Sequence, residues 1–433
     1  MSYISPDMDG PHPQPSRSRL TLALGILLHL FTHAYGAMLV PLYLMIQSDL
    51  ALKGIKYAAL LVTVYGVVYY IVAYGAGMLA DRVNRRDLLG WGLVINAVAV
   101  VMMGFTRRYE MLLVFSVAGG LAGTLFHPAA NALIPAHFPK SPGMAIGMLG
   151  IGSGLGFFIG PQYAGWRAVH AGWHWGTIAN WQRPCIELGL MGLICGLAFL
   201  LFAREAPGHH ENRPAPHPMS WRLRWNIIGI ALTLGCRDFA GLASLSLTSI
   251  YLLRAMGRDA ASVGFTVGIM MLIGVVANPL AVWISPGRKR LPMLAITLLL
   301  AGLIVCTVPW FAGTWVLPAL CVFQSFHLGS YAMSDAAMLE RVSPSHRGRV
   351  AGLFLNIAGV AASLSPWIMG AWTDAFGPRA ISQSTYYAPF IALGAMMAFA
   401  IVSVPLIARL GESHPGAIRP LEEISPVTME AVM

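Results

Sequence analysis

Apolar runs long enough to cross a bilayer recur about twelve times along this 433-residue chain, at roughly 20–46, 55–80, 88–105, 111–136, 143–165, 184–203, 226–252, 261–285, 291–311, 315–339, 348–371 and 386–409. A helix needs roughly 20 apolar residues to span the hydrocarbon core. Strands of a membrane barrel are about 10 residues long and alternate in polarity, so runs of this length predict helices. With 57% hydrophobic and 11% charged residues the chain has too little polar surface to cover a soluble fold of its size. The polar start MSYISPDMDGPHPQPSRSR leads straight into a full span, so no cleavable leader is expected and the first helix acts as its own targeting signal.

The apolar pattern breaks once near the middle, at REAPGHHENRPAPHPMSWRLRW, which reads as a linker over 204–225. The expected organisation is a tail (1–19), a six-helix bundle (20–203), the linker, a second six-helix bundle (226–410) and a tail (411–433). Shifting the sequence by 205 residues supports two related halves: Gly143, Gly147, Gly154, Pro161 and Gly165 fall on Gly348, Gly352, Gly359, Pro366 and Gly370. This pairs span five with span eleven. The net charge of +10 is concentrated on one face. With both termini in the cytoplasm, Arg17, Arg19, Arg85, Arg86, Arg222, Arg224, Arg288, Lys289, Arg290, Arg347 and Arg349 all lie inside, and roughly twice as many Lys and Arg fall there as outside. Such a distribution reports orientation and gives no reason to expect a nucleic-acid partner. Cys185, Cys195, Cys236, Cys306 and Cys321 all lie in spans, lack metal-site spacing and are read as packing residues. The linker's His209, His210 and His217 are read as a solvated loop.

Between spans two and three the chain reads GAGMLADRVNRRDLLG. Gly77, Leu79, Ala80, Asp81, Arg82, Arg85 and Arg86 match the signature loop of the major facilitator superfamily, which this region resembles; Asn84 stands where the family usually has glycine. The corresponding loop of the second half, ISPGRKR, keeps the basic end and lacks the aspartate. The resemblance implies an all-α membrane protein with twelve transmembrane helices in two pseudo-symmetric six-helix bundles, the major facilitator fold. It also implies that Asp81 sits against the start of span eleven, near Arg347 to Arg349, and favours the outward-facing state.

Span five carries GLGFFIGPQYAG, similar to the glycine-proline motif of the superfamily's antiporters, with Gly152, Gly156, Gly160, Pro161 and Gly165 in place and Ala164 replacing one glycine. Glycines four apart form a smooth face for close helix approach, and Pro161 removes a backbone donor and permits a bend. The resemblance assigns this helix a sealing role in exporters; the plainer reading is a tight helix contact. Span four lacks the arginine of the drug-antiporter branch, with Ser116 near its place. Instead it contains GTLFHPAANAL, which resembles the fosmidomycin-resistance-like exporters.

Charge in the hydrocarbon costs at least about 2.5 kcal/mol, so ionisable residues within spans usually face a cavity. His33, Arg237, Asp238 and His327 lie about 12 or 13 residues into their helices, close to midplane at 1.5 Å per residue; His127 and Asp335 lie nearer the cytoplasmic end. Spans one, four, seven and ten, which line the central cavity in the superfamily, hold all six, and the 205-residue shift puts His33 on Asp238. His33, Tyr35, His127, Arg237, Gln324 and His327 are the candidate substrate-binding residues. Asp238 and Asp335 are the candidate proton-coupling residues. Gly77, Asp81, Arg82, Arg85, Arg86, Gly156, Gly160, Pro161 and Gly165 are the candidate gating residues. Arg237 and Asp238 point about 100° apart, so one can face the cavity while the other pairs with a neighbouring helix, and the plainer reading is a structural ion pair. Each histidine also has a plainer reading, as a hydrogen-bonded packing residue. His29 and His33 share a face at a metal-compatible spacing, but a third ligand would have to come from His327, so no metal site is assigned. Trp166, Trp173, Trp175 and Trp181 read as an interfacial aromatic belt.

The chain lacks a G-x-x-x-x-G-K-[ST] loop, which argues against direct ATP hydrolysis. The expectation is a monomeric secondary transporter of the cell inner membrane, multi-pass, without cofactor, that exports a small organic compound against protons by alternating access. Its partners are a small-molecule substrate, protons and the lipid bilayer. Alternatives are symport or uniport of an organic anion, a transition-metal transporter using the cavity histidines, and an intramembrane enzyme using His and Asp at midplane.

Overall fold

The computed structural model describes residues 15–170, 176–205, 219–311, 313–343 and 346–412. The two tails, His209, His210 and His217 of the linker, and Trp173 and Trp175 lie outside these residues. Among the described residues, twelve helices are long and apolar enough to cross a membrane. Those of the first half are α1 (Arg17–Asp49), α2 (Ile55–Ala80), α3 (Arg85–Phe105), α4 (Tyr109–Ala136), α5 (Pro142–Val169) and α6 (Gln182–Phe202). Those of the second half are α7 (Trp221–Arg254), α8 (Ala260–Ile284), α9 (Gly287–Trp310), α10 (Gly313–Arg341), α11 (Arg347–Asp374) and α12 (Gln383–Leu410). Among the described residues there is no strand. The expected spans and the real helices agree to within a few residues, because the apolar length that a bilayer demands is written directly into the chain.

Local chemistry sets several boundaries. Asn84, out of place in the family pattern, is the N-cap of α3: its Oδ1 accepts from the Asp87 amide at 3.0 Å. Asp259 caps α8 in the same way through Ser262. The α-helical path of α4 is interrupted between Gly123 and Phe126. Pro128 accounts for this, since it has no N–H for the Thr124 carbonyl and its ring crowds that carbonyl. The break sets the direction of His127.

Even-numbered crossings return the chain to the side from which it started, so the start of α1, the end of α6 and the start of α7 share one face, here the terminal face. Packing follows the sequence repeat. Helix α5 lies against α1 of its own half and α8 of the other, and α11 lies against α7 of its own half and α2 of the other. One buried apolar cluster joins the halves toward the opposite face, with Leu42 and Ala164 in contact with a core that includes Ile250, Val263 and Phe376. A second cluster, including Leu223, Ile227, Leu294, Val350 and Ile407, belongs to the second half alone, toward the terminal face.

Candidate functional site

Two seams join the halves, and both are closed along only part of their length. In the α5/α8 seam Gly165 abuts Ala260 and Gly264, and contact continues as far as Gly154 against Val275. In the α2/α11 seam Gly370 abuts Lys56, and contact continues as far as Gly359 against Tyr70. Beyond those points, toward the terminal face, a side chain at Gly75, Gly77, Gly143, Gly147, Gly348 or Gly352 would meet nothing within 4 Å. The glycines paired by the 205-residue shift therefore occupy equivalent places in two equivalent seams. Exposed apolar residues on the parted segments, Tyr74, Met78, Met144, Met148 and Leu355 among them, mark the separation.

The closed face is fastened by polar contacts between halves. Asp374, the last residue of α11, accepts from the amides of Ile55 at 2.9 Å and Lys56 at 3.0 Å, which are unsatisfied donors at the start of α2. Arg254 at the end of α7 pairs with Asp374 at 3.3 Å and donates to Gln47 of α1 at 3.2 Å. Ser249 donates to the Val40 carbonyl at 2.7 Å, and Tyr43 meets Ser246 at 3.2 Å. None of these residues stands out in the sequence, because an aspartate at a helix end looks like any solvated terminus until its partner helix is in place.

In the second half, Arg237 is fully buried in the middle of α7. Its Nε donates to Asp238 at 2.7 Å, and its Nη1 donates to Ser334 Oγ at 2.8 Å and the Ser330 carbonyl at 3.2 Å. The guanidinium lies 3.7 Å from the Tyr331 ring centre. Arg237 and Asp238 thus form an ion pair with each other, and Arg237 also reaches the neighbouring helix. The α10 hydroxyl and carbonyl hold the guanidinium on one side of α7, and its long stem lets it fold back onto the adjacent carboxylate. His327, Tyr331 and Asp335 follow one another at intervals of four along α10, on one face, with Asp335 exposed. His327 is buried against Gly241 and stacked on Phe323, and neither ring nitrogen has a hydrogen-bond partner among the described residues. Gln324 is buried, donating to Met271 Sδ at 3.3 Å while its Oε1 is unpartnered.

The first half gathers different chemistry. His29 Nδ1 lies 2.8 Å from the Leu149 carbonyl of α5 and must donate to it, which turns Nε2 toward His33 Nε2 at 3.0 Å. The break in α4 brings His127 to the same place, with ring centres 5.1 Å from His29 and 5.5 Å from His33. His327 is not there, which corrects the expected third partner of His29 and His33. The two half-sites are separate because α10 directs His327 against α7. The Tyr35 hydroxyl donates to the Leu188 carbonyl at 3.0 Å, and its side chain is buried against α6.

The gating candidates divide by role. Gly152, Gly156 and Gly160 admit α1 to close contact with α5, through the backbones of Ile26, Leu30 and Ala34, whereas Pro161 and Gly165 meet α8 across the seam. Arg82 is exposed. Arg85 is buried and donates to the Ala80 carbonyl at 3.4 Å. Arg86 ties the start of α3 to the end of α6, its amide donating to Glu205 at 2.9 Å and its Nε to the Ala203 carbonyl at 3.0 Å. Asp81 lies 4.0 Å from Arg85, with its side chain largely exposed. The α2/α11 seam is parted just before Asp81, at Gly75 and Gly77, where an added side chain would meet nothing within 4 Å. Trp166 is exposed as a belt residue would be, but Trp181 is buried and donates to Asp49 at 3.0 Å. All five cysteines are free.

Two six-helix halves, closed on each other at one face, parted at the other and carrying ionisable groups near midplane, define a membrane carrier. The family model described as Major Facilitator Superfamily matches residues 22–285 and 230–431, and the chain belongs to that superfamily. A bacterial homologue of the human lysosomal transporter Spinster, solved in an inward-facing and occupied conformation, superposes with a TM-score of 0.76 at 18% identity, over 94% of this chain and all of that one. The chain is 24% identical over 360 residues to the "Probable nitrate/nitrite transporter NarK2" of Mycobacterium tuberculosis, covering 77% of this chain and 84% of the relative. It is 21% identical over 321 residues to the class H tetracycline resistance protein of Pasteurella multocida, covering 71% and 76%. Members of this family are transporters, so the intramembrane-enzyme alternative falls away.

Proposed function

We propose that this protein is a proton-coupled exporter of a small organic compound, placed in the cell inner membrane with both termini in the cytoplasm and working as a monomer. Residues 20–203 and 226–410 are the two units that rock against each other, and the conformation described above opens to the cytoplasm. The observation that carries the coupling is the buried Arg237–Asp238 pair of α7, whose guanidinium also donates to Ser334 and Ser330 of α10. Breaking such a pair by removing one charge is costly in a dry interior. Loss of the Asp238 charge leaves Arg237 uncompensated while its α10 partners stay in place, so the pair links charge to the packing of the two helices. Asp335, exposed on the same face of α10, lies on the route by which a proton reaches the pair from the terminal side. His33, His127, Gln324 and His327 bind the substrate. The unpartnered Gln324 Oε1 and His327 nitrogens support this, since buried polar atoms without partners cost about 1–3 kcal/mol each and a ligand would satisfy them. Similarity to a tetracycline resistance protein and the glycine face of α5 favour export. Arg237 joins the binding residues, since its Nη2 is buried without a partner among the described residues and would meet an anionic group of the substrate; uptake of an organic anion is the alternative this favours.

Flux in proteoliposomes under an imposed pH gradient tests this reading. Asp238→Asn is expected to keep substrate binding and lose the response to the gradient, whereas His33→Ala weakens binding itself. An Asp238→Asn protein driven as well as wild type moves the coupling role to Asp335.

A further inference from the structure

The arrangement of His29, His33 and His127 has features that substrate binding by single histidines does not require. One ligand nitrogen from each ring lies within 4.8 Å of the other two, and among the described residues this is the one group of three potential metal-ligating side chains so gathered. We propose that these three imidazoles form a binding site for a divalent transition-metal ion of the zinc class, with cobalt and nickel as close substitutes.

The donor set suits such an ion, because imidazole nitrogen is a preferred ligand of zinc, nickel and copper and a poor one for magnesium or calcium. Zinc takes imidazole at about 2.0–2.1 Å, and tetrahedral geometry then spaces the nitrogens about 3.3 Å apart. His29 and His33 already stand at 3.0 Å. The widest separation closes by about 1.5 Å, within the reach of side-chain rotation about χ1 and χ2. The outer contact of a ligating imidazole is also present. His29 donates Nδ1–H to the Leu149 carbonyl, leaving Nε2 as a lone pair aimed at the cluster, the arrangement that fixes tautomer and ring direction in metal sites. His127 has no hydrogen-bond partner among the described residues, so neither of its ring nitrogens is committed elsewhere. The cluster is walled by Phe126, stacked on His29 at 4.5 Å, and Phe157, 4.5 Å from His33. Beside His127, at 6.4 Å between ring centres, is Tyr69, whose buried hydroxyl is unpartnered. Three neutral ligands leave the ion's charge uncompensated, so its remaining position takes an anionic donor or a water held near that hydroxyl.

The test is titration of the full-length protein, purified in detergent without a polyhistidine tag, with Co2+ and then Zn2+. Wild type is expected to bind one Co2+ per chain with the intense visible bands of a four- or five-coordinate site, bleached by Zn2+. His33→Ala and His127→Ala should each weaken binding at least tenfold, and Zn2+ should raise the thermal midpoint of wild type but of neither variant. The triple variant His209→Ala, His210→Ala, His217→Ala should bind as wild type does. The proposal is overturned if wild type shows no stoichiometric Co2+ spectrum, if binding and zinc stabilisation persist in both His33→Ala and His127→Ala, or if the linker variant abolishes them. The midpoint measurement covers the case in which one variant is unstable, because an unstable protein that still gains stability from zinc counts against the site.

Discussion

The first half and the second half place ionisable groups at equivalent heights, and they meet the cost of burial by opposite means. The second half buries a full positive charge and neutralises it with the adjacent carboxylate, two α10 oxygens and an aromatic face. The first half buries imidazoles, which can stay neutral, and joins them to one another and to a backbone carbonyl. His33 and Asp238 correspond in the repeat, yet one belongs to a group of neutral imidazoles and the other to an ion pair. The difference teaches that duplication preserved the position of chemistry near midplane but not its kind.

The largest expected effect tests that contrast directly. Asp238→Asn leaves Arg237 buried without a counter-charge, at a cost of about 3–5 kcal/mol. His33→Ala removes one hydrogen bond between neutral groups, at about 1 kcal/mol. Chemical denaturation of both variants in one detergent measures the two, and equal losses would break the comparison. The double variant Arg237→Gln, Asp238→Asn should recover much of the stability while remaining insensitive to the pH gradient.

The seams offer the next comparison. A leucine at Gly160 would collide with the Ala34 backbone, so Gly160→Leu should lose about 1–3 kcal/mol and either uncouple or abolish transport. Gly147→Leu enters open space in this conformation and should leave folding nearly unchanged while hindering closure of the terminal face. Normal flux and normal proton coupling in Gly160→Leu would reduce the α5 motif to ordinary packing. A smaller shift is expected from Asp374→Ala, which removes the cap of α2 and the partner of Arg254. A helix-cap contribution of about 1 kcal/mol corresponds to a several-fold rise in the population open at the opposite face. Spin-label distances across the α2/α11 seam report it, and unchanged distances would show that the apolar contacts hold that face unaided. The smallest energy is that of Asp81→Asn, about 0.3–1 kcal/mol in the conformation closed at the terminal face. Flux should fall while expression and insertion are retained, and wild-type flux would remove Asp81 from the gate.

The spans, the two halves and the 205-residue correspondence were legible because they depend on apolar length and on glycine and proline spacing, which are properties of one strand of sequence. The helices that carry the site were legible for a related reason: ionisable residues are rare enough within spans to stand out. Which way each side chain points was not. The rotation of a helix about its axis is settled by what several neighbours admit, and that decided that His127 rather than His327 joins His29 and His33. It also decided that Tyr35 turns into α6, that Arg237 folds onto Asp238, and that Trp181 is interior. Asp374 is the plainest case. Its carboxylate acquires a role only when α2, some 320 residues earlier in the chain, presents two amides within 3.0 Å. Local sequence determined how many helices this chain has and where they lie in the membrane, because burial in lipid is decided segment by segment. Tertiary packing alone decided which groups meet between them, because hydrogen bonds and ion pairs need their partners within about 3 Å.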